Sequence, residues 1–179
     1  MNCLNAKEVV LVQLLKKAGI LQPFKKEEVN GLTRNGGCGV FCGDGDIDAP
    51  EYHQETITER NHSIQIFGGP LLFAPSFRDY DTALAEGLLR NASRGMGAKR
   101  TGSSFLYPHW PCAVGRDCGY QMIDIINMMY EVIPVFERIS DKVHAFFHVV
   151  KRIEDERKQK TYKLVLPPDG LAEFVKKAA

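Results

Sequence analysis

Charge of one sign is what this chain of 179 residues lacks: 23 Lys and Arg stand against 22 Asp and Glu, a formal net charge of +1. With no excess of either sign there is no general field to gather nucleic acid or an anionic membrane, so neither is expected as a partner. Long hydrophobic runs are missing too. The apolar stretch Val9 to Leu15 is short, interrupted by Gln13 and followed by Lys16 and Lys17. Met1 to Glu8 has no basic n-region, so the start reads as neither signal peptide nor membrane span. Cysteine is scarce and odd in number, five in all, which without a secretory signal argues for a reducing compartment, here the cytoplasm. In that setting clustered Cys and His bind metal more often than they form disulfides.

What is present suits one globular domain. With 44% hydrophobic and 25% charged residues the chain can bury a core, but its length leaves no room for two catalytic domains. We expect an N-terminal helical segment over residues 1–35 and an α/β unit over 36–179. Leu11, Leu14, Leu15 and Ala18 recur at helical spacing before Gly19, which predicts a helix from about residue 6 to 19. The glycine-rich stretch Gly31 to Gly45 surrounds Val40-Phe41 as a buried strand does. His62 to Phe67 alternates like a strand and stops at Gly68-Gly69-Pro70, where the backbone can approach a ligand.

A helix is predicted from Asp79 to about Gly95, a third strand at Phe105 to Tyr107, and a second long helix on the stripe Met122, Ile125, Ile126, Met129, Ile133 and Phe136. Pro134 should kink or shorten the last turns of that helix. Val143 to Val150 and Tyr162 to Leu166 read as strands joined by the charged stretch Lys151 to Lys160, and Leu171 to Lys177 as a short terminal helix. Strands alternating with helices imply an α/β fold: a mostly parallel central sheet with an antiparallel strand at its end and helices packed on it. Ligands of such sheets bind beyond the C-terminal ends of the strands, at a topological switch point.

The residues with chemistry fall at those strand ends. Cys42 and Asp44 are two apart, so on a continuing strand both leave the same face. His109 and Cys112 are three apart, a spacing that meets on one side of a tight turn. Two thiolates and an imidazole form a set that binds Zn²⁺ and leaves a fourth position for water, acidified enough to serve as a nucleophile near neutral pH. Cys118 is the alternative third ligand; the compact spacing favours Cys112. Cys3 and Cys38 read as buried small hydrophobes, and His53, His62, His144 and His148 as hydrogen-bonded structural residues. Tyr107 and Trp110 either line an apolar pocket or simply pack.

These residues resemble the beta-class carbonic anhydrases, which carry Cys-x-Asp-x-Arg after the first strand and His-x-x-Cys after a later one. The matching stretches are Cys42-Gly-Asp44-Gly-Asp46 and His109-Trp-Pro-Cys112. The resemblance spans about residues 38 to 166. It implies zinc held by Cys42, His109 and Cys112, with Asp44 orienting a zinc-bound hydroxide for the reversible hydration of CO₂ to bicarbonate, in a homodimer or larger oligomer. Such an enzyme is a carbonate dehydratase, a zinc lyase. Asp46 stands where the family has an arginine paired with the aspartate, which leaves Arg60, Arg78 or Arg116 as substitutes. If none serves, the alternative is an inactive zinc-binding relative, acting as a partner or sensor subunit.

Three weaker readings share these residues. Asp44, Asp46, Asp48 and Glu55 imitate a calcium loop, but Ala49 and Pro50 occupy its centre where glycine is needed. Asp44 and Asp46 after a strand suit an aspartate-nucleophile phosphatase, which leaves Cys42, His109 and Cys112 idle. A structural zinc knot of Cys38, Cys42, Cys112 and Cys118 would dispense with His109.

Overall fold

The computed structural model describes residues 3–23, 36–44, 61–100, 102–153, 156–171 and 174. Asp46, Asp48, Glu55, His53 and Arg60 lie outside the described residues, as does most of the terminal helix expected at 171–177.

Helix α1, Ala6–Lys17, opens on a capping box in which Asn5 accepts from the Glu8 N–H and Glu8 accepts from the Asn5 N–H. It ends just before Gly19, whose φ of +74° turns the chain into strand β1, Leu21–Gln22. Strand β2, Gly37–Cys42, is buried along its whole length, as a strand covered on both faces must be. Beyond β3, Asn61–Ile66, the order is a 3-10 turn at Gly69–Phe73, α2 at Thr82–Lys99, β4 at Ser103–Tyr107 and β5 at His109–Trp110. Short helix α3, Ala113–Asp117, and long helix α4, Met122–Glu137, precede β6, Lys142–Ile153, and β7, Glu156–Leu164.

The seven strands form one sheet in the order β1-β7-β6-β4-β2-β3, with β5 paired to β6 off that path. β2 runs parallel to both β3 and β4, and β4 parallel to β6, while β7 and β1 add antiparallel strands at one edge. The mostly parallel α/β sheet expected from the sequence is thus present. From β2 the chain first moves outward to β3, then crosses back through α2 to β4 on the other side of β2. That reversal makes the C-terminal end of β2 a switch point, where loops diverge and leave a crevice.

Alternation along β2 divides the interior. Cys38, Val40 and Cys42 join the main core, together with Val12 and Leu15 of α1 and Ile125, Met129 and Phe136 of α4. Phe41 faces the other way, stacked on Tyr107 at 4.9 Å in a second cluster with Phe105, Phe146 and Val150.

Three expectations change. α4 continues through Pro134 to Glu137: a proline in the last turn gives up little of the hydrogen-bond ladder while the apolar stripe stays packed. The charged stretch 151–160 is not a long connection, because β6 and β7 run through it in register, with Val150 opposite Gln159 and Ile153 opposite Glu156. His109 does not merely follow a strand; it begins β5, paired with His148 of β6.

Candidate metal centre

The site is assembled at the end of β2. Gly43 continues the strand by donating its N–H to the Ile66 carbonyl at 2.8 Å, and Gly69 lies against it so closely that a Cβ there would stand 2.6 Å from the Cys42 nitrogen. Glycine at 69, with φ +50°, therefore allows backbone-to-backbone packing under Cys42. From the neighbouring strand β4, residues 108–112 return across the same end. Cys112 is the N-cap of α3, its Sγ accepting the Gly115 N–H at 3.5 Å.

Cys42, His109 and Cys112 come together there, each offering one ligand atom, all within 4.8 Å of one another. All three are at most 4% exposed. Both ring nitrogens of His109 are buried without a hydrogen-bond partner, an arrangement that costs free energy unless one of them binds something. The hydrogen bond from Cys112, outweighing burial and helped by His109 and the Asp44 backbone N–H, holds the Cys42 thiol well below its ordinary pKa. The same bond, with burial, pushes Cys112 up. The direction of these shifts favours a thiolate at Cys42 and a thiol at Cys112, and binding a cation is what would release the proton held there. The three residues thus form a buried group that could hold a metal ion.

Asp44 lies beside this group but is not a member of it. Its Oδ2 accepts the N–H of Ala113, the residue after Cys112, at 3.0 Å, and the side chain is nearly buried. Two of the candidate arginines have these partners among the described residues. Arg78 forks onto Asp79 at 2.8 and 3.1 Å and reaches Asp117; Arg116 pairs with Glu8 at 3.6 Å and lies 5.3 Å over the ring of Trp110.

Cys118 does not join the site. It ends α3 as the C-cap, half-exposed, its Sγ 3.7 Å from Asp79 Oδ2, and burial and the neighbouring carboxylates raise its thiol. Cys38 is held inside β2 opposite Ser104, so the four-cysteine knot does not form. His62 bonds Asn91 at 2.9 Å, and His144 stacks on Phe105. His148 is bonded at Nδ1 by Gln159 and Thr161.

Other surroundings were not expected. A cleft of about 440 Å³ is lined by Phe67, Leu72, Phe77, Ala113 and Val114, with Asp79 and Asp117 among its walls. Tyr107 and Trp110 are not in it; both are packed inside. Phe67, 66% exposed at the end of β3, could have been suspected from its place beside Gly68-Gly69, whereas Leu72, Phe77 and Val114 carry no sequence signal that separates them from core. Among the described residues no helix is long and apolar enough to cross a membrane. No family model matches the chain, and no curated protein matches it.

Proposed function

We propose that the chain is a zinc-dependent enzyme of carbonic anhydrase type, catalysing the reversible hydration of CO₂ to bicarbonate. The observation that supports this best is the pairing of a Cys42-His109-Cys112 group with a carboxylate, Asp44, that stands beside it and is tied to Ala113. Zinc held by Cys42, His109 and Cys112 would supply a Lewis acid that makes water nucleophilic at neutral pH.

The chain's own residues do the rest. Asp44, steadied by the Ala113 N–H, accepts a hydrogen bond from the attacking water and fixes the direction of its lone pair. Phe67, Leu72 and Val114 offer CO₂ an apolar wall, which suits a small neutral molecule better than its anionic product. The test is stopped-flow CO₂ hydration by zinc-loaded protein from neutral to mildly alkaline pH. Turnover that depends on both zinc and Asp44 is expected, and a rate no greater than background would overturn the reading.

Asp46, standing where an arginine is expected beside Asp44, favours a second reading: a zinc-binding relative without turnover, serving as a partner or sensor subunit. It requires a fourth protein ligand. X-ray absorption that finds a non-protein oxygen on the zinc excludes it.

A further inference from the structure

Resting on the metal-site reading above, we infer that Glu8 of α1 is a positioning residue for the metal centre, holding the His109-Trp110-Pro111-Cys112 turn in its ligating shape. The carboxylate of Glu8 is largely buried, with its side chain 15% exposed, and it gathers donors from three parts of the chain. Oε2 takes the Asn5 N–H at 2.7 Å, which fixes the side chain to the first turn of its own helix. Oε1 takes the indole N–H of Trp110 at 2.7 Å and faces the Arg116 guanidinium at 3.6 Å. Arg116 in turn covers the Trp110 ring.

Trp110 stands directly between the two ligands of this turn, and Arg116 belongs to the short helix that Cys112 caps. One carboxylate therefore grips the turn at both ends. Trp110 is 3% exposed, so its N–H needs a partner inside the protein, and Glu8 is the one it has. An indole left without that acceptor would rotate to find another, carrying His109 and Cys112 with it. Because ligand geometry must hold to a fraction of an ångström, such a shift reads out as metal affinity.

The experiment measures zinc affinity by competition with a chromophoric chelator in the wild type, Glu8→Ala and Glu8→Gln. Thermal unfolding of each metal-free protein is recorded in parallel. Glu8→Ala is expected to bind zinc about tenfold more weakly, the low end of what outer partners of a ligand contribute. Glu8→Gln keeps an acceptor for the indole and is expected to recover most of that loss. If Glu8→Ala melts earlier when metal-free yet binds zinc as the wild type does, Glu8 is only structural and the inference is overturned. The two readings fail differently: a wild type that takes up no zinc overturns the metal centre itself, whereas a zinc-binding wild type matched by Glu8→Ala overturns only the role of Glu8.

Discussion

Two sulfurs and an imidazole enclosed within 4.8 Å of one another are an expensive arrangement for an interior that could have held three aliphatic side chains. Each should therefore be indispensable to metal binding. Cys42→Ser and Cys112→Ser are expected to purify with little zinc, whereas Cys118→Ser, altered at the exposed end of α3, keeps the wild-type content; elemental analysis of the purified variants decides. Asp44→Asn keeps the ligands but has one acceptor oxygen in place of two, so it cannot take the Ala113 N–H on one oxygen and a water on the other; it should retain zinc and lose about 10²-fold or more in CO₂ hydration rate. The grouping of Cys42, His109 and Cys112 was legible because the pairs Cys42/Asp44 and His109/Cys112 are local, two and three residues apart. The choice of Cys112 over Cys118 was less so, since it depends on where the turn becomes helix. Glu8 was invisible for a different reason: its bond to Trp110 spans 102 positions, and nothing in either neighbourhood announces the other.

Among the elements, the join between the 3-10 turn and β2 is the one most sensitive to a single atom. Gly69→Ala would drive a Cβ into the backbone of Phe41 and Cys42 at a positive φ, so a loss of about 1–3 kcal/mol or more in urea unfolding is expected, with weakened zinc binding. Gly119→Ala is the control, since its φ of +80° is equally left-handed but nothing lies within 4 Å, so it should cost only about 1 kcal/mol. The elements themselves were mostly readable from periodicity. The short β1, β5, α3 and 3-10 turn have too few residues to show a period, and the β6–β7 ribbon was hidden for another reason: Lys151 sits opposite Lys158 in regular antiparallel register, in a stretch whose charge suggested a loop. Lys158 and Lys160 there are exposed, so charge reports solvent contact at those positions and not backbone conformation.

For the molecule as a whole, acid is a condition that separates folded from unfolded chain. Burial first, then the charge of His109, lowers His148 from 6.5 to about 3, and burial with Lys163 and Lys142 lowers His144. Above pH ~6.5 both histidines are neutral in either state and contribute no pH dependence. As the pH falls below that value the unfolded chain takes up protons that the folded chain refuses, so stability declines until the folded pKa is reached. The urea midpoint of metal-free protein should therefore fall steadily on acidification below about pH 6.5. In His148→Gln that slope should be shallower, whatever its effect on stability at neutral pH.

The chain holds a single tryptophan, and it is Trp110, enclosed between the candidate ligands His109 and Cys112 and bonded to α1. Intrinsic fluorescence of this protein is consequently a local gauge rather than a global one. An emission-detected melting curve follows the opening of one turn, while circular dichroism follows the sheet and helices. Any temperature interval between the two transitions measures how far the ligand turn loosens before the fold gives way.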